Sequence, residues 1–218
     1  MFISRVPLLA RLFLPKLICR LPTFGKKVVF LTFDDGPIPE TTPFILDTLA
    51  RHNIKATFFC VGENVKKNPE LYKRILDEGH YVGNHSYNHL NGWKTPFDKY
   101  IENIEESEKV IHNLTPYSLA LIPLFRPPYG KLSLRQYNVL KEKYKIIMWD
   151  VLTPDYDINS TTEECLKIVK NKTRNGSILV FHDNNKAKKN LEKLLPATID
   201  FLLEQKFDIQ PVTSELVK

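Results

Sequence analysis

The stretch VVFLTFDDGP, from Val28 to Pro37, decides the fold and marks a candidate site. Its first six residues are β-branched, aromatic or leucine, which is typical of a strand buried on both faces. Asp34 and Asp35 therefore lie at the carboxyl end of this strand, which Gly36-Pro37 terminates. Successive side chains of a strand point to opposite faces, so two adjacent carboxylates can serve one site only where the strand is ending. We predict that this pair serves chemistry.

The rest of the chain alternates short apolar runs with longer amphipathic ones. Further strands are predicted within ATFFCVG, YVGNH, LFR, IIMWDV, GSILVFH and FDIQPVT, which gives seven with VVFLTF. Helices are predicted near residues 41–52, 69–78, 96–112, 133–143, 161–172 and 190–204. This alternation predicts an α/β fold of parallel strands with helical crossovers, as an open sheet or an incomplete barrel. In either case a site belongs at the carboxyl ends of the strands.

Composition places the chain among soluble globular proteins. Its 218 residues are enough for one domain with a substantial core, and 43% are hydrophobic and 26% charged. The net charge of +6 could indicate a nucleic-acid or membrane partner, but the lysines fall mostly in mixed pairs and helix-face clusters, which are typical of solvated helix faces. No nucleic-acid motif accompanies them, so we expect no nucleic-acid partner. The odd number and wide spacing of Cys19, Cys60 and Cys165 support neither a disulfide framework nor a thiolate metal site.

The amino-terminal segment, residues 1–26, is basic and apolar. It resembles neither a signal peptide nor a membrane-spanning helix, because cations divide it into short apolar runs: Arg5, Arg11, Lys16 and Arg20. Two interpretations remain, a segment packed on the domain or a peripheral contact with the inner membrane leaflet. Packing is favoured, since Pro7 and Pro15 would break a long interfacial helix. We therefore predict a cytoplasmic or inner-membrane-surface location.

Polar residues follow five of the predicted strands. They are Asp34 and Asp35, then His85 and His89 in NHSYNH, Arg126 and Tyr129 in RPPYG, the acids of WDVLTPDYD, and His182 in FHD. Because the carboxyl ends of parallel strands share one rim, these side chains are expected to converge. Such clustering predicts an enzyme.

The two histidines of NHSYNH suggest a metal site. His85 and His89 are four residues apart, so one helical turn would present both imidazoles on the same face, near enough to share a cation. By itself this spacing is equally compatible with surface or capping histidines. A carboxylate from another strand completes two histidines and one aspartate, the composition of an open catalytic site. A turn or helix N-cap explains one aspartate of the Asp34-Asp35 pair but not readily both.

The motifs TFDDG, HSYNH, RPPY and LVFH, in this order, resemble those of the polysaccharide deacetylases, carbohydrate esterase family 4 or the NodB-homology domain. The resemblance covers residues 27–213, leaving residues 1–26 and a tail, 214–218, outside the domain. It implies a single-domain distorted (β/α)7 barrel. It also implies metal-dependent removal of an acetyl group from an N-acetylated, sometimes O-acetylated, sugar.

The resemblance also implies roles for individual residues. Asp35, His85 and His89 would bind one divalent metal ion, with Zn²⁺ expected first and Co²⁺, Ni²⁺, Fe²⁺ or Mn²⁺ as alternatives. Asp34 would be the base that takes a proton from metal-bound water, and Arg126 would orient it. The remaining catalytic residues would be Tyr129, whose backbone N–H faces the oxyanion, and His182, the acid that protonates the leaving amine.

The fourth motif of the family departs from its usual pattern here. The family has two aspartates three residues apart followed by tryptophan, whereas this chain has LTPDY at residues 152–156, so only the second aspartate, Asp155, remains. The resemblance makes Asp155 the partner of His182, with Asp150 and Asp157 as nearby alternatives. The residues expected to line the pocket for the acetyl methyl group are Tyr156 and Leu179.

Three functions remain open at this stage. The first is a metal-dependent deacetylase of an N-acetylated glycan or amino sugar. The second is a metal-dependent C–N hydrolase of a small non-sugar amide, and the third is a catalytically weak protein that binds glycans or a membrane surface. The presence of base, metal ligands and acid together favours the first.

Overall fold

The computed structural model describes residues 5–7, 12–115 and 123–217. Parts of the predicted amino-terminal segment, including Arg11, and the last residue of the tail, Lys218, lie outside the described residues. The strands are β1 Leu17–Ile18, β2 Val28–Asp35, β3 Thr57–Cys60, β4 Tyr81–Asn84, β5 Leu124–Phe125, β6 Lys145–Ile147, β7 Val151–Leu152, β8 Ile178–His182 and β9 Asp208–Gln210. The helices are α1 Thr42–Arg51, α2 Gly62–Lys67, α3 Pro69–Asp77, α4 Phe97–Leu114, α5 Leu134–Lys143, α6 Thr162–Lys172 and α7 Lys188–Glu204, with a 3-10 turn at Pro128–Gly130.

The strands form one curled sheet. Their order is β1-β6-β5-β4-β3-β2-β8-β7, with β9 beside the start of β2, and every pairing between these strands is parallel. The predicted distorted (β/α) barrel is confirmed as a curled parallel sheet covered by helices. All the carboxyl ends therefore lie on the same rim.

Alternate residues of β2 serve two different cores. Val29, Leu31 and Phe33 pack in a large cluster with residues of α1, α3, α6 and α7. Val28 and Phe30 pack instead with strand residues inside the curl of the sheet. This two-sided burial explains why the strand reads as an uninterrupted apolar run.

Local sequence explains where the helices begin. Helices α5 and α6 start with capping boxes, in which Ser133 pairs with Gln136 and Thr161 pairs with Glu164. Helices α1 and α3 carry proline in their first turn, where its missing N–H costs no helical hydrogen bond. The predicted ends of the six longer helices agree with the structure to within two residues. The short helix α2 was not predicted.

The predicted strand IIMWDV is wrong as a single element, because the structure divides it into β6 and β7. The chain changes neighbours between them: the backbone N–H of Met148 donates to Ile18 of β1, whereas that of Asp150 donates to Ile178 of β8. A segment that moves from one partner strand to another cannot continue as one straight strand.

Strand β1 was not predicted either, because basic residues interrupt the apolar pattern around it. It pairs with β6 at the edge of the sheet, and the following Cys19 and Leu21 are buried. Arg5 and Arg20 point towards the buried carboxylate of Asp150, at 3.5 and 3.8 Å. The three cysteines are all buried and none forms a disulfide. No helix within the described ranges has both the length and the apolar character needed to cross a bilayer.

Candidate active site

The end of β2 brings two consecutive carboxylates into one site. Asp34 follows Thr32 by two positions, so both side chains lie on the inner face of the sheet. The next residue, Asp35, has φ of +90°, a conformation that leaves the extended region and is uncommon for a residue with a side chain. This backbone turn breaks the alternation of the strand. The turn therefore explains how two adjacent aspartates can share one site.

Arg126 holds Asp34 in place. Its Nη1 donates to Asp34 Oδ1 at 2.6 Å and to Thr32 Oγ1 at 2.8 Å, and the pair is buried. The other guanidinium nitrogens donate to the backbone oxygens of Ile147 and Met148 at 3.2 and 3.1 Å. Because these contacts hold the Arg126 guanidinium in place, its hydrogen bond fixes the orientation of the Asp34 carboxylate.

Three side chains form a candidate metal centre. One ligand atom from each of Asp35, His85 and His89 lies within 4.8 Å of the others. Asp35 Oδ1 is 3.6 Å from His85 Nε2 and 3.2 Å from His89 Nε2. This buried oxygen has no hydrogen-bond partner among the described residues, which is the state expected of an atom that ligates a cation.

The protonation of these residues suits a cation. The Nδ1 atom of His85 lies 2.7 Å from the backbone oxygen of Arg126, which can only accept, so Nδ1 carries the hydrogen and Nε2 offers its lone pair. Burial, with a contribution from His89, lowers the pKa of His85 to about 4, so its imidazole is neutral at pH 7. Burial would raise the pKa of Asp35, but the surrounding imidazoles of His89, His182 and His85 outweigh it and lower that pKa well below its usual range. Two imidazoles and one carboxylate fit a divalent metal.

The prediction that His85 and His89 share a helical turn is wrong. Residues 85–90 form a loop after β4, with positive φ at Ser86 (+61°) and His89 (+55°). The side chain of Asn103 on α4 anchors this loop by accepting from the backbone N–H groups of residues 87 and 88. The centroids of the two imidazole rings nevertheless lie 5.0 Å apart.

His182 and Asp155 form a second charged pair. The Asp155 carboxylate accepts from both His182 Nδ1 and the His182 backbone N–H, each at 2.8 Å. Burial alone would lower the pKa of His182, but the charges of Asp155, Asp35 and Asp34 and the hydrogen bond to Asp155 raise it to about 9. His182 is therefore protonated at neutral pH. Its ring meets the ring of Tyr156 edge-on, with centroids 4.5 Å apart.

The structure separates the alternative partners of His182 from the site. Asp150 accepts from Arg174 and Ser177 at 2.8 Å, near the opposite end of β8. Asp157 accepts from Asn159 in an exposed turn. Among the three aspartates considered, Asp155 is the one that contacts His182.

Tyr129 lies at the site through its ring. The side chain is 60% exposed and meets the His89 ring edge-on at 4.6 Å, and its backbone is left-handed with φ of +57°. Leu179 does not line the site, and its predicted role in the pocket is wrong. It is three residues before His182, so it lies on the other face of β8, buried in the helix-side core.

Two residues directly after His182 were not predicted as part of the site. Asn184 Nδ2 donates to Asp35 Oδ2 at 2.6 Å. The Asp183 carboxylate is buried and accepts from the hydroxyls of Thr41 and Thr42 at the start of α1. Burial raises the pKa of Asp183 to about 7, although these hydroxyls oppose the shift. A Cβ on Gly36 would lie 2.1 Å from Asp183 Oδ2, so a larger residue there would force the Asp183 side chain to move.

A groove of about 440 Å³ adjoins Tyr156. Its lining includes Ser160, Glu164, Lys167, Asn171 and Lys172. The groove thus extends from Tyr156 along α6.

Comparison with known proteins identifies similar chains. The family model described as polysaccharide deacetylase matches residues 22–146, more than half of the chain. A Bacillus cereus peptidoglycan-N-acetylglucosamine deacetylase is 44% identical over 134 residues, which cover 61% of this chain and 48% of the relative. The chain spans about half or a third of the length of the first curated relatives that it matches.

Two solved structures share the whole architecture. The Bc1960 peptidoglycan N-acetylglucosamine deacetylase, in complex with a naphthalenyl N-hydroxybenzamide, has a TM-score of 0.85 and 32% identity, covering 95% of both chains. BA3943 of Bacillus anthracis, described as a pseudoenzyme of carbohydrate esterase family 4, has a TM-score of 0.80 and 29% identity. That match covers 93% of this chain and 69% of the other.

Proposed function

The chain belongs to the polysaccharide deacetylase family, and on this premise we propose that it removes the acetyl group from an N-acetylated amino sugar of peptidoglycan. One observation carries the proposal. Asp34 and His182 are direct neighbours in the register of β2 and β8, and each is held by a buried partner of opposite charge. The proposed base and the proposed acid thus lie side by side, next to the three candidate metal ligands.

Asp35, His85 and His89 would hold one divalent metal, with Zn²⁺ proposed first and Co²⁺, Ni²⁺, Fe²⁺ or Mn²⁺ as alternatives. Within the described residues, Asp35 Oδ1 has no hydrogen-bond partner and His85 Nε2 offers its lone pair, and both observations support this set. When bound, such an ion supplies a Lewis acid that polarises the acetyl carbonyl and lowers the pKa of water.

The residues of the chain would supply the proton transfers. As the oxygen of water bonds to the acetyl carbon, Asp34 accepts the proton that the water loses, and Arg126 holds the carboxylate in line for it. The C–N bond then breaks, and His182 gives its proton to the departing nitrogen, which leaves as a free amine alongside acetate. Asp155 keeps His182 charged until that moment. We propose the backbone N–H of Tyr129 as a donor to the oxyanion.

Tyr156 is proposed as the wall that contacts the acetyl methyl group, because its ring packs against His182. The groove beyond it would receive the parts of the glycan or its peptide that flank the reacting sugar.

Two alternative functions are distinguished by one experiment. One structural relative is described as a pseudoenzyme, so this fold also occurs without activity. A glycan-binding role is therefore the first alternative. A non-sugar amide remains the alternative enzymatic substrate. Acetate release would be measured with zinc- or cobalt-loaded protein on peptidoglycan fragments, N-acetylglucosamine oligomers, a lipid-linked amino sugar and a simple N-acetyl amide.

We expect the wild type to release acetate from the sugar substrates, and Asp34→Asn to release none while retaining the metal. Asp200→Asn, which removes an exposed carboxylate on α7, should match the wild type. Folded, metal-loaded wild-type protein that binds peptidoglycan fragments without releasing acetate would overturn the proposal in favour of a binding role. Release from the simple amide alone would favour the non-sugar hydrolase.

We also propose that the amino-terminal segment, besides packing on the domain through β1, contacts an anionic membrane surface. Residues 1–27 contain six Lys and Arg and no acidic residue, and the remaining Lys and Arg equal Asp and Glu in number. Phe13 and Phe24 are 77% and 88% exposed in this basic segment, a combination that favours interfacial binding. The cytoplasmic or inner-membrane location remains part of this proposal.

Vesicle co-sedimentation tests the membrane contact. We expect binding to vesicles with anionic phosphatidylglycerol, little binding to neutral phosphatidylcholine vesicles, and loss of binding in Phe13→Ser/Phe24→Ser. Equal recovery with both lipids, or an unchanged double variant, would refute it. Cell fractionation would then locate the protein.

A further inference from the structure

We infer that Asn184 is a positioning residue, which holds Asp35 so that only one of its carboxylate oxygens faces the metal. The inference rests on the metal set of the proposed function. It concerns the geometry of that set, which can be measured without any substrate.

The two oxygens of Asp35 have different surroundings. Oδ2 accepts from Asn184 Nδ2 at 2.6 Å. Oδ1 has no hydrogen-bond partner among the described residues and faces the Nε2 atoms of His85 and His89, at 3.6 and 3.2 Å. An unrestrained carboxylate can bind a cation through one oxygen or both. The amide of Asn184 engages Oδ2 and leaves Oδ1 as the single ligand atom.

The direction of the Asn184 amide follows from its other contacts. Its Oδ1 accepts from the backbone N–H groups of Lys186 and Ala187, at 2.9 and 3.0 Å. Backbone N–H groups can only donate, so the oxygen must face them and the NH₂ group must face Asp35. The turn before α7 therefore fixes which end of the amide meets the carboxylate.

Asp183 anchors the same connection from the other side. Its buried carboxylate accepts from Thr42 at 2.6 Å and lies against Gly36, the residue directly after Asp35. The backbone N–H of Asp183 also donates to the oxygen of Asp34 at 2.7 Å. The extension of β8 thus contacts the end of β2 at three successive residues, and Asn184 lies where it can set the rotation of the Asp35 carboxylate.

Cobalt binding tests this inference. Asn184→Ser keeps a short oxygen that can cap the turn but removes the amide NH₂ group that reaches Asp35. Asn159→Ser serves as a control at an exposed asparagine. The Kd for Co²⁺ would be measured by titration, and the visible absorption of bound Co²⁺ would report its coordination number. We expect Asn184→Ser to bind Co²⁺ about 10- to 100-fold more weakly, which is the range typical when a metal ligand loses its hydrogen-bond partner. The Co²⁺ absorption should also weaken, because a released Oδ2 raises the coordination number.

An unchanged Kd together with an unchanged spectrum in folded Asn184→Ser would overturn the inference, as would a wild type that binds no cobalt. If the serine variant does not fold, Asn184→Asp decides the question. It keeps the capping oxygen and removes the donor, so its Co²⁺ spectrum must differ from that of the wild type. A third outcome separates the two proposals. If Asn184→Ser binds cobalt more weakly than the wild type, but the wild type releases no acetate, the inference holds and the proposed function is refuted.

Discussion

Replacing Asp155 by asparagine should move the alkaline limit of activity to lower pH. His182 must be protonated to act as an acid, and its raised pKa of about 9 keeps it so through the neutral range. The ordinary histidine pKa is about 6.5, and Asp155 is the strongest of the influences that raise it here. Asparagine keeps the volume but carries no charge and retains only one of the two acceptor oxygens that His182 contacts. Burial, which lowers this pKa, would remain.

The size of the effect follows from the two pKa values. At pH 8 a group with a pKa of about 9 is roughly 90% protonated, whereas one with a pKa of about 6.5 is roughly 3% protonated. We therefore expect activity at pH 8 to fall about thirtyfold in Asp155→Asn, with a much smaller loss at pH 6. The pH profile of kcat would be measured from pH 5 to 10 at constant metal content. Asp200→Asn, at an exposed carboxylate on α7, is the matched control.

The same substitution should also change how the free energy of unfolding depends on pH. A histidine whose pKa is raised by folding stabilises the folded state fully below its unfolded pKa, about 6.5, and that contribution disappears as pH rises through about 9. The wild type should therefore lose unfolding free energy between these values, and Asp155→Asn should lose less over the same interval. An alkaline limit that stays where it was in Asp155→Asn would refute the assignment of His182 as the acid.

Three further predictions concern the other parts of the site. His85→Ala should lose bound metal and activity together, as measured by metal analysis of purified protein, whereas metal retained at the wild-type level would contradict its role as a ligand. Arg126→Lys should lower the unfolding free energy by roughly 2–4 kcal/mol and reduce kcat, because lysine keeps the charge but cannot reach Asp34 and the carbonyl groups together. Equal denaturation midpoints for this variant and the wild type would argue against this. Gly36→Ala should cost about 1–3 kcal/mol from the clash with Asp183, and Asp183→Ala should relieve part of that cost in the double variant, so strictly additive losses would disprove the clash.

The residues at the carboxyl-terminal rim of the barrel could be predicted from the sequence, because the end of each strand is marked by its local sequence. Apolar runs ended by polar residues locate strand ends, and parallel pairing brings those ends together whatever the loops do. Asp34, His85, Arg126 and His182 were found in this way, and the structure brings them into one site.

The conformations at the strand ends could not be predicted in the same way. The spacing of His85 and His89 suggests a helical turn, but a loop with left-handed residues presents them instead. Asn184 acts through a contact between residues 149 positions apart, which leaves no periodic signal in the sequence. Leu179 is different, because strand alternation counted back from His182 would have placed it on the other face.

The edge strand β1 has a consequence for biosynthesis. Leu17 and Ile18 pair with Ile146 and Ile147, and Arg20 bonds to the backbone of Asn175, 155 residues later in the chain. A ribosome releases residues 17–21 long before their partners exist, so this apolar, basic stretch must wait for most of the translation product before it can dock. Contacts of such long range slow folding and prolong the exposure of unpaired strands. The edge strand β1 is therefore one of the elements that stay unpaired until late in synthesis.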